Sequence, residues 1–251
     1  NRPLIARKQE MSEVWRTVTA RDFSEEVEAV ASGLIGMGLG PGERVAIMSR
    51  TRYEWTLLDF ACWAAALVPV PIYETSSAEQ IGRILTDADA RLVVAETITM
   101  AELVRAAVVS AGREGTRVLS LDTEAIRTII EAGRSAPDSA VTERTGSLTT
   151  SSLATIVYTS GTTGTPKGTV LSHGNFTDLC VNSHQWMPEI AMGRDSRLLL
   201  FLPLAHVFAR FLELFQITGE GVIGHAPDTK NLLSDLASFR PSYLLVVPRV
   251  L

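Results

Sequence analysis

Several things are scarce in this chain of 251 residues. It has two cysteines, Cys62 and Cys180. They lie far apart and form no Cys-x-x-Cys pair, which excludes a disulfide framework and the zinc and dithiol redox motifs. They read as reduced thiols packed as small hydrophobes. No basic stripe offsets a formal charge of −5 and a pI near 5.5, which argues against a dedicated nucleic-acid binder. Long apolar runs are missing too. The longest, FACWAAALVPVPIY from Phe60 to Tyr73, is interrupted by Pro69 and Pro71. It falls short of the ~20 residues that span a bilayer and reads as a buried helix running into a buried strand. No signal peptide is visible, although the sequence opens at Asn1 rather than at a methionine. What is present is ordinary: 46% hydrophobic and 20% charged residues, as in a globular protein with a core.

Along the chain, short apolar strands alternate with amphipathic helices. Thr19 and Asp22 have capping-box spacing, and Phe23, Val27, Val30, Ala31, Leu34 and Ile35 recur at helical period. RVAIMS, LVPVPIY, RLVVAE and RVLSLD read as strands, separated by helices near 54–66, 76–90 and 100–110. The stretch 131–152 is rich in Ser, Thr, Gly and charge and reads as a flexible connector. Alternation then resumes through LATIVYT, TVLS, RLLLFLP, GVIGHA and SYLLVVP. The rhythm predicts an α/β fold of mostly parallel sheets flanked by helices. It also predicts sub-lobes of about 1–130 and 153–251. A strand-like run meeting the last residue, Leu251, suggests a chain that ends inside a domain.

The most informative stretch is YTSGTTGTPKGTVLSHGN, Tyr158 to Asn175, which follows an apolar strand. Its glycines allow close backbone approach to an anion, its hydroxyls supply adaptable donors, and Lys167 adds a mobile positive charge. A Walker A loop is excluded, because Pro166 stands where its second glycine must be and Gly168 follows Lys167. A dinucleotide fingerprint is excluded as well: Gly161, Gly164 and Gly168 have the wrong spacing, and a second short strand follows rather than a helix. A phosphate-holding loop between two strands remains. The helix after it is expected to be capped by Ser172 or Asn175.

YTSGTTGTPKG closely resembles the signature of the adenylate-forming superfamily. ERVAIMSRTRYEW, PVPIYETSSAEQ, LPLAHVFAR and VVPRVL narrow the resemblance to bacterial long-chain fatty acyl-CoA synthetases, over essentially Arg2 to Leu251. The resemblance implies that 1–251 is the N-terminal portion of an adenylation (AMP-binding) domain, without the C-terminal domain. It implies a fatty acid–CoA ligase using ATP, Mg²⁺ and CoA. Fatty acid is activated to an acyl-adenylate with release of pyrophosphate and then transferred to the thiol. Thr159, Ser160, Gly161, Thr162, Thr163, Gly164 and Lys167 are thereby assigned to the phosphates, and Thr159 to the Mg²⁺ shell. His206 is placed beside the acyl carboxylate and α-phosphate, and Val207 at the border of the nucleotide and acyl pocket. Lys167 and His206 are the expected catalytic pair. Arg210 stands where some relatives carry a gating tryptophan, which leaves control of an acyl tunnel open.

The Tyr-Gly-x-Thr-Glu segment, the ribose-binding Asp and the C-terminal lysine domain of the family have no counterpart here. A chain ending at Leu251 is therefore expected to be inactive by itself. Two alternatives stay open: an adenylating enzyme that loads a carrier protein, and a non-catalytic nucleotide- or anion-binding module. A cytoplasmic location is expected. A fatty substrate invites transient membrane contact, though no basic amphipathic helix supports it.

Overall fold

The computed structural model describes residues 2–8, 13–160, 166–191, 193, 195–227 and 230–246, the side chains of Ser160 and Ala191 excepted. In chain order the elements are β1 (Pro3–Lys8), β2 (Trp15–Thr19), α1 (Ala20–Gly36), β3 (Arg44–Met48), α2 (Tyr53–Ala64), β4 (Val68–Ile72), α3 (Ala78–Asp87), β5 (Ala90–Ala95), α4 (Ile98–Ser110) and β6 (Arg117–Ser120). There follow α5 (Ala125–Ala132), α6 (Ala140–Gly146), β7 (Leu153–Ser160), β8 (Pro166–Ser172), α7 (His173–Trp186), α8 (Pro188–Ala191), β9 (Arg197–Leu200), α9 (Val207–Thr218), β10 (Val222–His225) and α10 (Leu232–Phe239). The expected α/β fold with mostly parallel sheets is observed.

The chain forms two compact units that interleave along the sequence. One comprises Glu25–Arg50 and Glu54–Asn175; the other comprises Asn1–Ser24, Thr51–Tyr53 and Phe176–Leu251. The first holds a four-stranded parallel sheet in the order β4-β3-β5-β6 and the two-stranded antiparallel ladder β7-β8. Strands buried on both faces read as continuous apolar runs, and Val45–Met48 and Leu92–Ala95 are all fully buried. β4 carries Pro69 and Pro71, which lack N–H donors and suit the sheet's edge. β7 is anchored on that side: the buried Thr155 hydroxyl donates to Pro69 O at 2.7 Å, and Trp63 Nε1 donates to Ala154 O at 2.8 Å.

α3 opens with a complete capping box, Ser77 and Gln80 each bonding the other's backbone N–H. Its buried face, Ile81, Ile84 and Leu85, joins Met48, Val93, Val104 and Tyr158 in one apolar cluster. α1 approaches α5 so closely that a Cβ at Gly33 would fall 2.1 Å from Ile129 O, so only glycine fits there.

The stretch 131–152, read as a connector, contains α6. This helix buries no residue. It is held instead by hydrogen bonds to backbone carbonyls: Arg144 Nη1 donates to Leu39 O at 2.7 Å and Ala65 O at 3.1 Å, and Thr145 Oγ1 to Ala64 O at 2.9 Å.

The second unit is built on the sheet β2-β1-β10-β9, parallel except for the β1–β2 pair. Thr19 and Asp22 do form the predicted capping interaction, Asp22 Oδ2 accepting from Thr19 N at 3.1 Å and Thr19 Oγ1 from Asp22 N at 3.2 Å. The segment read as a strand from Ser242 onward makes one isolated parallel bridge, Leu198 to Tyr243. Among the described residues no helix is long and apolar enough to cross a membrane.

Candidate active site

β7 and β8 run antiparallel with the register Tyr158↔Gly168, Thr159↔Lys167 and Ser160↔Pro166. Side chains alternate across a strand, so neighbours on β7 face opposite ways. Tyr158 is 7% exposed and belongs to the apolar cluster, whereas Thr159 is exposed. Lys167, directly across from Thr159, is exposed as well, which sets a hydroxyl and an ammonium side by side on one face of the ladder. Ser160 ends β7. Gly161, Thr162, Thr163 and Gly164, the remainder of the predicted phosphate loop, lie outside the described residues.

The stem beneath this pair is tightly fixed. The Tyr158 hydroxyl donates to Asp87 Oδ2 at 2.5 Å. Burial and the Asp87 carboxylate push the Tyr158 phenol well above its usual value, so the hydroxyl stays a donor. After β8, Ser172 and Asn175 cap α7 reciprocally: Asn175 Oδ1 accepts from Ser172 N at 2.9 Å, and Ser172 Oγ from Asn175 N at 3.3 Å. His173 is half-buried, edge-on to the Trp63 ring with centroids 5.3 Å apart, and its backbone N–H donates to Ser152 O. It braces the base of the ladder.

His206 and Val207 belong to the other unit. His206 is the N-cap of α9, its Nδ1 accepting from Phe208 N at 3.2 Å. That acceptance places the ring proton on Nε2 in the neutral form and leaves an exposed donor. Val207 is 38% exposed. Arg210, one turn further on, is fully buried with its guanidinium 5.3 Å from the Phe176 ring centre. Glu213 is buried as well, its Oε1 3.5 Å from His225 Nε2. Arg210, where some relatives were expected to carry a gating tryptophan, is thus a buried side chain.

Sequence reasoning missed Asp87, the last residue of α3. Nothing local marks it, because its partner Tyr158 is 71 residues away.

A family model described as AMP-binding enzyme matches residues 4–251. The chain belongs to the AMP-binding enzyme family. Among relatives of this AMP-binding chain, long-chain-fatty-acid–CoA ligase FadD15 of Mycobacterium tuberculosis is 41% identical over 239 residues, covering 94% of this chain and 40% of the relative. Human long-chain-fatty-acid–CoA ligase 1 is 28% identical over 273 residues, covering 99% and 38%. The inhibitor-bound N-terminal domain of FACL13 from Mycobacterium tuberculosis superposes with a TM-score of 0.78 at 26% identity, covering 94% of this chain and 57% of that one. ATP-bound MatB from Rhodopseudomonas palustris shares the fold, with a TM-score of 0.77 at 24% identity over 99% of this chain and 46% of its own. The AMP-binding chain spans about two fifths of the length of the curated relatives it matches.

Proposed function

We propose that this chain is the phosphate-handling part of a long-chain fatty acid–CoA ligase, the N-terminal portion of an adenylation domain. The observation that carries the reading is the Thr159–Lys167 pair on one face of the β7–β8 ladder, in a family whose similar members are named long-chain-fatty-acid–CoA ligases. A fatty carboxylate oxygen attacks the α-phosphorus of ATP; the new acyl–phosphate bond forms as the bond to pyrophosphate breaks. The CoA sulfur then attacks the acyl carbon, its proton is lost to solvent or base, and AMP leaves. The first step places negative charge on the departing pyrophosphate. Neutralising and positioning that charge is the work a lysine and a row of hydroxyl and backbone donors can do.

Lys167 is therefore the counter-charge of the leaving group, and Thr159 with the loop residues Ser160 to Gly164 supplies donors. His206, with Nδ1 engaged, offers Nε2–H to a carboxylate or phosphate oxygen, and Val207 is an apolar neighbour of that position. Mg²⁺, when bound, supplies further neutralisation of the phosphates. The Thr159 hydroxyl is a hard oxygen suited to its shell. Among the described residues no cluster of three or more His, Cys, Asp or Glu is placed to hold a metal ion. The same reading carries a cytoplasmic location with contact at the membrane face where fatty acid is delivered.

The test is palmitate-dependent exchange between ATP and pyrophosphate in the full-length protein, followed by transfer to CoA or to acyl-carrier protein. Lys167→Ala should lower exchange by about 100-fold or more while the fold persists by circular dichroism. Exchange within a few-fold of wild type would sink the reading. Transfer to the carrier protein and not to CoA would move the protein to the other class of adenylating enzyme.

A further inference from the structure

The phosphate-handling pair stands on a ladder of only two strands, and an isolated two-stranded ladder is marginal and free to twist. Something must fix its orientation at the end that carries Thr159 and Lys167. The Tyr158 ring and Ile156 pack on the apolar cluster that includes Ile81, Ile84 and Leu85 of α3, but beside them a groove of about 550 Å³ opens between Pro166 on β8 and the helices α3 and α4, lined on the α3 side by Gly82, Arg83, Thr86 and Asp87. A directional contact that crosses from the ladder to α3 is the bond from the Tyr158 hydroxyl, 2.5 Å from Asp87 Oδ2. The same ring lies against the backbone of its cross-strand partner, since a Cβ at Gly168 would sit 3.1 Å from Tyr158 Cζ and 3.2 Å from Cε1. Tyr158 thus grips both strands, and α3, held by its capping box and buried face, is the fixed end of the tie.

We propose that Asp87, acting through the Tyr158 hydroxyl, is a positioning residue that fixes the ladder so that Thr159 and Lys167 face the phosphates together. Tyr158 directly precedes Thr159 and stands opposite the residue after Lys167. A rotation of the Tyr158 backbone therefore moves both members of the pair. The consequence is specific to the phosphate end of the reaction, because the Tyr158 ring lies on the face of the ladder opposite Thr159 and Asp87, exposed at the end of α3, meets the ladder through that ring's hydroxyl. This inference rests on the ligase reading for its kinetic readout but not for its binding readout.

The experiment uses the full-length protein with Tyr158→Phe, Asp87→Ala, Asp87→Asn and the double variant Tyr158→Phe/Asp87→Ala. Tyr158→Phe keeps the ring that fills the core. Loss of the tie should raise KM for ATP and weaken pyrophosphate binding by about tenfold, with KM for palmitate unchanged. Asp87→Asn, which keeps an acceptor oxygen, should recover most of the loss. The double variant should be no worse than either single one, because both remove the same contact. Equal rises in both KM values, or pyrophosphate affinity within about twofold of wild type by calorimetry, would overturn the proposal. If the wild type binds pyrophosphate but turns over no fatty acid, the ligase reading fails alone, and the pyrophosphate titration of the variants still decides this one. If the wild type binds no pyrophosphate, both fall.

Discussion

Lys167 is one of three lysines in the chain, with Lys8 and Lys230. Lys8 is committed to an ion pair with Asp235 at 2.5 Å, whereas Lys167 extends into solvent beside Thr159. At this scale the next residue matters as much. A methyl group at Gly168 would come within 2.9 Å of Ile156 Cγ2 and 3.1 Å of Tyr158 Cζ, both on the facing strand. The Tyr158 ring cannot yield without stretching its bond to Asp87. Gly168→Ala should therefore cost about 1–3 kcal/mol, the range for overpacking a well-filled site, and weaken pyrophosphate binding. Gly146, with open space around its Cα and no positive φ, is the control. Its change to alanine should stay within about 0.5 kcal/mol in urea denaturation. Equal effects at the two glycines would refute the packing argument.

The elements show where local pattern reaches its limit. β3, β4 and β5 were legible because strands buried on both faces are unbroken apolar runs, and α3 because a capping box precedes a period-3.6 stripe. α6 was not, since AVTERTG buries nothing and depends on carbonyls that other elements leave at their ends. The β1–β10 pairing was hidden too, because it joins Ile5 to Ile223 across the length of the chain. The Thr159–Lys167 pair could be read from residues eight apart, whereas the Asp87 tie depends on which helix returns beside the ladder. A similar long-range tie secures the parallel sheet. Glu96, 2% exposed, follows β5 and receives Arg50 Nη2 at 2.6 Å, Arg50 Nε at 3.0 Å and Arg50 N at 2.8 Å, from the residues just after β3. Truncation leaves the guanidinium and a backbone N–H without that acceptor. Glu96→Ala should cost about 3 kcal/mol, and Glu96→Gln distinctly less, read from the urea midpoint. A loss below about 1 kcal/mol for the alanine variant would show that water substitutes for the carboxylate.

At the scale of the whole molecule, both units store pH-dependent stability in the same kind of group. Burial pushes the Tyr158 phenol up in one unit, aided by Asp87, and pushes Tyr243 up to about 12 in the other, where its hydroxyl donates to Gln216 Oε1 at 2.6 Å. Tyr73 is raised by burial and by the neighbouring Glu74 charge. A phenol whose folded value is raised holds its proton after the unfolded chain has lost it. Its contribution is complete below the unfolded value, about 10, and is lost as pH rises from there toward the folded value. Lys8 acts in the same direction: burial opposes its charge, but Asp235 and Glu13 hold its value above normal. On the acid side the shifted carboxylates are Asp22, lowered by Thr19, Asp89, lowered by Arg113, and Glu13, lowered by Ser234 and Lys8. All three are solvent-screened, so their contribution, lost as pH falls below about 4, is small. Stability should therefore fall more steeply on the alkaline side, beginning near pH 10. Urea unfolding at about pH 8 and about pH 11 measures it. Tyr158→Phe and Tyr243→Phe should each lower stability at the lower pH yet shrink the loss between the two. A loss as large in the double phenylalanine variant as in the wild type would place the alkaline sensitivity elsewhere, in Tyr73 and the Lys8–Asp235 pair rather than in Tyr158 and Tyr243.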